Sequence, residues 1–439
     1  MTTSTRLMRQ RRFLPLFLTQ LLNALNDNLF KNAMVLFVVY QVYDSPAMET
    51  FVSGIATAVF VLPFVLFSAT SGQLADMRDK TKIIRWIKFA EIIIMAVGAS
   101  GLVLAARGIE VETLAIPLMF TALFAMGVHS TFFGPIKYAI LPQHLHKDEV
   151  LAGTGLVEAG TYVAILVGMM LGGALPIMAS TVAVIAIALI GYGVCRFIPP
   201  APPETSERKV DWNPVRASRA LIAFSMGKPE LRYAVLSISF FWAIAAILSV
   251  QFIPLAKNVL LADKQVAAVM LVAFSAGIAI GSVSINALLK GDISARYSAP
   301  SVLVLAGLLI SFYLLCRSWN LAPAAGGLFS VGAFLAEPLA LVLIANLVLI
   351  AVAGGMFVVP LYAFLTTRVE KSEASRSVAA NNFISSLFMV AGAGIAGALG
   401  FLGIPLAEQL LLSLVLCGIS AVLARRLHAL EALRAPEAA

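Results

Sequence analysis

The stretch GQLADMRDKTK, Gly72 to Lys82, is a short polar break between two apolar runs, 50–75 and 83–106. Each run exceeds the roughly 20 residues that a helix needs to cross a bilayer. The break sets Arg78, Lys80 and Lys82 against Asp76 and Asp79, the basic bias expected of a cytoplasmic loop. The same alternation continues outward in both directions. Apolar spans are expected at 13–41, 50–75, 83–106, 114–141, 150–173, 176–197, 231–256, 264–289, 299–317, 338–366, 374–400 and 404–426. The expected fold class is an all-α polytopic membrane protein with twelve transmembrane helices.

Composition agrees. The chain is 60% hydrophobic and 12% charged, about half the charge of a soluble domain. Of its 31 basic residues, about 25 fall at the termini or in loops on one side of the spans, which puts both termini in the cytoplasm. The net charge of +8 thus follows topology and does not form the one-sided patch of a nucleic-acid binder. The opening MTTSTRLMRQRR is basic and precedes an apolar run without a small-residue cleavage pattern, so it reads as an uncleaved first span. Cys195, Cys316 and Cys417 lie in or beside apolar runs and read as small core residues.

The longest polar segment, Pro199 to Ala220, is rich in proline and charge and separates six spans from six. The expected organisation is a bundle over 1–197, a cytoplasmic linker over 198–230 and a second bundle over 231–439. The region 318–337 reads as an external loop. The halves look related: TFFGPIKYAIL (131–141) aligns with MFVVPLYAFLTTR (356–368), pairing Pro135 with Pro360 at a shift of 225 residues. That relation suits parallel repeats about an axis along the membrane normal.

With these features in place, the opening loop resembles the loop signature of the major facilitator superfamily, with Gly72, Asp76, Arg78 and Lys82 at the matching positions. The resemblance implies that this loop takes part in gating, and that spans one, four, seven and ten line a cavity. A narrower resemblance lies in NDN of span one, GPIKYAIL closing span four, GLVEAGTYVAILVG of span five and GGMFVVPLYAFL of span ten. These are similar to the bacterial lysophospholipid transporter family. The family implies a flippase moving lysophosphatidylethanolamine-like lipids from the outer to the inner leaflet of the cytoplasmic membrane, followed by reacylation inside. A cytoplasmic acyltransferase or acyl–acyl carrier protein synthetase is then the implied partner. One departure stands out. Where that family places a basic residue about two turns after FW in span seven, this chain has Ser249 and Gln251.

The polar residues inside spans carry the chemistry. Asn23, Asp27 and Lys31 recur every four residues and share a helix face. Asp27 lies about 21 Å along the helix from Phe13, near mid-membrane, where a charge costs roughly 2.5–3.5 kcal/mol. His129 lies at a similar depth on span four, so Asp27 and His129 could meet as a proton relay. Lys137 and Glu158 are close enough in depth for an ion pair or a substrate contact. A zwitterionic head group needs a cation for its phosphate, for which Lys31 and Lys137 are candidates. It needs an acid or an aromatic face for its ammonium, for which Asp27, Glu158 and Tyr138 are candidates. An Asp27–Lys31 pair that only locks the bundle is the structural alternative. Glycine-rich spans five and eleven could part as a lateral gate or simply pack closely.

No cofactor is expected: there is no P-loop and no cluster with metal-ligand spacing. HLHKDE (144–149) imitates an acyltransferase motif but has no soluble domain around it, so the chain is expected not to be an enzyme. It is expected to work as a monomer by alternating access. The alternatives are a proton-coupled transporter of a small amphipathic solute with the same fold, and a membrane scaffold without transport. Mid-membrane charge argues against the scaffold.

Overall fold

The structure, a computed structural model, describes residues 3–38, 46–203, 210–323 and 327–434, with the side chains of 46–54, 214, 264, 401 and 434 outside the description. Twelve long helices follow one another among the described residues: α1 (Leu14–Phe37), α2 (Pro46–Met77), α3 (Lys80–Ala106), α4 (Ile116–Ala139), α5 (Val150–Ala174), α6 (Ile177–Cys195), α7 (Pro229–Asn258), α8 (Lys264–Leu289), α9 (Ser298–Arg317), α10 (Pro338–Thr367), α11 (Ala374–Phe401) and α12 (Leu406–Arg434). Eleven are long and apolar enough to cross a membrane. The exception is α1, whose polar stripe holds Asn23, Asn26, Asp27, Asn28, Lys31 and Asn32. The end of the span expected at 13–41 lies outside the described residues.

Local chemistry sets several helix starts. Asp79 caps α3, accepting from the Thr81 and Lys82 backbone N–H groups, and Asp263 caps α8 through Gln265 and Val266. Pro135 and Pro360, paired by the repeat alignment, both lie inside their helices, α4 and α10. The linker expected at 198–230 contains a helix, Pro214–Gly227; its residues 204–209 lie outside the described residues. The loop expected at 318–337 holds a short helix, Val331–Ala336. Trp319, Phe329 and Phe334 gather there, with ring centroids of Trp319 and Phe334 5.4 Å apart.

The chain divides into two compact units, 1–224 with 366–383, and 225–365 with 384–439. The expected boundary fell at the linker; the structure adds the start of α11 to the first unit, for a reason given below.

In the first unit α1 packs on α5 and α6, and α4 on α2 and α3. The core between them holds Leu29, Phe30, Met34, Met95, Leu102, Met119 and Leu123. A Cβ at Gly168 would lie 2.5 Å from the Leu25 carbonyl oxygen, and one at Gly172 would lie 2.7 Å from that of Leu29. Gly168 and Gly172 of span five thus sit in backbone contact with α1, as the close-packing alternative expects. In the second unit α12 packs on α7 and α9. Trp242 Nε1 donates to the Tyr362 hydroxyl at 2.9 Å, and Gln251 donates to Gln409 at 3.1 Å.

Candidate functional site

The polar stripe of α1 splits between two directions. Asn28 and Asn32 serve the backbone, Asn32 donating to the Met169 carbonyl of α5 at 2.7 Å. Asn23, Asn26 and Asp27 are buried. Asp27 Oδ2 accepts from Ser130 Oγ of α4 at 2.6 Å and from Asn23 Nδ2 at 3.2 Å. Among the described residues its Oδ1 has no hydrogen-bond partner, and neither does Asn23 Oδ1.

Lys31 was weighed as an ion-pair partner for Asp27, but no such pair forms among the described residues. Its ammonium instead lies 5.6 Å from the centre of the Phe60 ring on α2, and its side chain is half-buried. Among the described residues, Asp27 thus keeps one oxygen without a hydrogen bond, and Lys31 rests on an aromatic face without an ion pair within 4 Å.

His129 does not meet Asp27 directly. Its Nε2 lies 3.4 Å from Glu91 Oε2 of α3, and neither ring nitrogen makes a hydrogen bond among the described residues. Glu91 was not anticipated, nor was its counter-ion. Lys88 pairs with Glu91 one helical turn away, and both are fully buried. Asn26 Nδ2 donates to Glu91 Oε1 at 2.8 Å. Lys88 lies near the start of the span expected at 83–106, where the sequence analysis assigned it no partner; the structure buries it. Gly191 on α6 makes the room, because a Cβ there would lie 2.9 Å from Lys88 Nζ. The sequence did hold a signal: Lys88 and Glu91 stand three residues apart beside an apolar run, the spacing of neighbours on a helix.

Lys137 and Glu158 form no ion pair within 4 Å among the described residues. Tyr138 stands between them: its hydroxyl donates to Glu158 Oε1, and the Lys137 ammonium lies 4.9 Å from its ring centre. Glu158 and Tyr138 are buried, and Lys137 is half-buried. The lysine thus lies over a ring, with no acid within 4 Å of its ammonium among the described residues.

The gating residues divide the same way. Asp76 Oδ1 accepts from the Ser375 N–H at 2.8 Å, and Oδ2 accepts from the Arg376 N–H at 3.1 Å and from its Nε at 3.3 Å. Ser375 and Arg376 open α11, so Asp76 caps that helix from a distant part of the chain. This bonding draws 366–383 into the first unit. Gly72 permits the approach: a Cβ there would lie 2.6 Å from that of Ala379. Arg78 and Lys82 are exposed. The basic partner of Asp76 is Arg376, which the sequence analysis did not single out.

Comparison with known proteins follows the same lines. The family model of the Major Facilitator Superfamily matches residues 16–326. The chain is 25% identical over 402 residues to the lysophospholipid transporter LplT of Salmonella gallinarum, and 27% identical over 402 residues to that of Salmonella newport. Each alignment covers 89% of this chain and 89% of the relative. Among solved structures, the human organic anion transporter MFSD10 (TETRAN) gives a TM-score of 0.74 at 15% identity, covering 94% of this chain and 99% of that one. The transporter FucP in the outward conformation gives 0.68 at 14%, covering 94% and 98%.

Proposed function

We propose that this chain, which belongs to the Major Facilitator Superfamily, is a flippase for lysophospholipids, moving them from the outer to the inner leaflet of a bacterial cytoplasmic membrane by alternating access. It is a multi-pass membrane transporter and not an enzyme. Relatives named for lysophospholipid transport, similar along nearly nine-tenths of the chain, support the substrate class. The observation that carries the reading is Asp27: a buried carboxylate with one oxygen unbonded among the described residues, close in sequence to a cation, Lys31, that lies against a ring. A zwitterionic head group needs one group of each kind. In this reading Asp27 takes the ammonium, Asn23 holds the carboxylate in place, and Lys31 and Lys137 serve the phosphate. Tyr138 and Glu158 position Lys137. The acyl chain stays in an apolar medium, since each buried methylene is worth about 0.8 kcal/mol.

The same reading makes the termini cytoplasmic, the working unit a monomer, and a cytoplasmic acylating enzyme the consumer of the product. The test is movement of labelled lysophosphatidylethanolamine across proteoliposomes. Wild type should clear label from the outer leaflet, and Asp27→Asn and Lys137→Ala should lose most of that rate. Folded wild type that moves no more label than empty liposomes would sink the assignment and favour a carrier of a small amphipathic solute.

A further inference from the structure

The exposed faces of α3 and α6 form a second surface, apart from the buried stripe of α1. On α3 it runs through Lys82, Trp86, Phe89 and Ile93, spaced as neighbours on one helix face, and all four are exposed. Trp86 is 73% exposed. The order is a charge, two rings and an aliphatic chain. It is the order met on descending from the head groups of a leaflet into its hydrocarbon. α6 packs on α3 with its end beside the start of α3. It repeats the order in reverse with Ile190, Tyr192 and Arg196. Phe89 joins the two faces, its ring centroid 6.4 Å from that of Trp86 and 6.0 Å from that of Tyr192.

The polar end of this surface is unspent. Arg85 Nη2 donates to the carbonyl oxygens of Arg196 at 3.2 Å and Ile198 at 3.5 Å. These bonds hold the guanidinium at the end of α6 and leave its other nitrogens without a hydrogen bond among the described residues. The side chains of Lys82 and Arg196 are exposed, and neither they nor Arg85 has an ion pair within 4 Å among the described residues. Asp79, the acid beside them in sequence, is turned to the backbone N–H groups that start α3.

We propose that this surface binds an anionic diacyl phospholipid of the surrounding leaflet, with its phosphodiester against Arg85, Arg196 and Lys82. The acyl chains lie along Phe89, Ile93 and Ile190. A guanidinium already fixed in place suits a phosphate oxygen pair. The indole N–H of Trp86 and the hydroxyl of Tyr192 stand at the depth of the ester carbonyls. Charge selects the head group: a zwitterionic lipid would bring its own ammonium beside three cations, and an anionic lipid brings none. Each base is worth about fivefold in affinity for an anionic lipid. The bound lipid is resident and is not the cargo assigned to Asp27.

The experiment titrates the purified full chain in detergent with phosphatidylglycerol or phosphatidylcholine of the same acyl chains, and counts bound lipid by native mass spectrometry. Wild type should retain phosphatidylglycerol at least about tenfold more tightly. Lys82→Gln combined with Arg196→Gln should lose most of that preference. Arg107→Gln, an exposed base at the other end of α3, should keep it. Gel filtration checks that the variants are folded. On unaltered protein, phosphatidylglycerol brominated in its acyl chains should quench tryptophan fluorescence, and Trp86→Phe should remove much of the quenching. Equal affinity for the two lipids would overturn the proposal. So would an equal loss in Arg107→Gln, which would mean diffuse attraction, or displacement by inorganic phosphate, which would assign the bases to a free anion. Loss of phosphatidylglycerol binding in Asp27→Asn would place the lipid on the transport route and overturn the resident site while leaving the flippase reading intact. Failure of lysolipid movement in proteoliposomes would sink the flippase reading and leave this site standing.

Discussion

Asp76 Oδ1 accepts a hydrogen bond from the backbone N–H of Ser375 at 2.8 Å, joining residues 299 positions apart. With Arg376 N–H on the other oxygen, one carboxylate satisfies two of the donors that a helix start leaves open. Asp76→Ala removes both acceptors, a loss of about 1–2 kcal/mol by analogy with local caps. Amide exchange at Ser375 and Arg376 should accelerate about tenfold or more, as read by hydrogen–deuterium exchange. Asp76→Asn retains one acceptor oxygen and should fall between. Unchanged exchange in Asp76→Ala would show that Asp76 does not hold the start of α11.

Lys88 and Glu91 make a sharper prediction. Removing one partner of a buried pair leaves an uncompensated charge, which costs about 3–5 kcal/mol. Lys88→Met should therefore lower the unfolding temperature strongly. Lys88→Met combined with Glu91→Leu should recover most of the loss, because no lone charge remains. A thermal-shift series on the two singles and the double measures this coupling. Additive losses would mean that the two side chains do not act as a pair.

His144 ends the short helix after α4, outside the spans, with its Nε2 3.4 Å from the Pro200 carbonyl oxygen. Burial holds its imidazole below the ordinary value of 6.5. The unfolded chain therefore binds this proton more readily than the folded one, so stability is full above about pH 6.5 and falls as pH drops through the folded value. His144→Gln should flatten that decline, measured as unfolding temperature from about pH 7.5 down to 5. A slope identical to wild type would exclude His144 as its source.

Glu149, buried at the start of α5, binds Arg6 at 3.0 Å and Arg12 at 2.7 Å. Its Oε2 also accepts the His146 N–H at 3.0 Å. Glu149→Gln removes the charge that holds both guanidinium groups, and trypsin should then cut after Arg6 and Arg9 several-fold faster. Cleavage at the wild-type rate would show that the N-terminal segment is held by other contacts, with Leu7 the buried candidate.

The twelve spans were legible because apolar runs near membrane length carry their own signal. The first span was legible by its flanks alone, since its own stripe removes it from the apolar set. The stripe was read as functional; within it Asp27 is bonded by Ser130 and Asn23 and has no ion pair within 4 Å among the described residues. What the sequence withheld was partnership. Depth along a helix can be counted from a loop, but azimuth cannot be fixed when small residues let helices rotate closely on one another. His129 and Asp27 shared a depth, but His129 approaches Glu91 and Asp27 takes the hydroxyl of the next residue, Ser130. Lys137 and Glu158 shared one with Tyr138 between them. Lys88 was missed for a different reason: a base near a span end resembles a loop base until the glycine that admits it, Gly191 on another helix, is brought beside it.

The three-residue spacing of Lys88 and Glu91 bears on how the protein is made. Their pairing needs nothing but α3 itself, since the two side chains meet across one turn of the same helix. A nascent α3 can enter the bilayer with its charges already matched, before any other helix has arrived to shield them. Asn26 and His129, from helices made before and after it, then dock onto a pair that is already neutral. Moving the acid to another helix would preserve the final contact but leave a lone lysine to cross the insertion step.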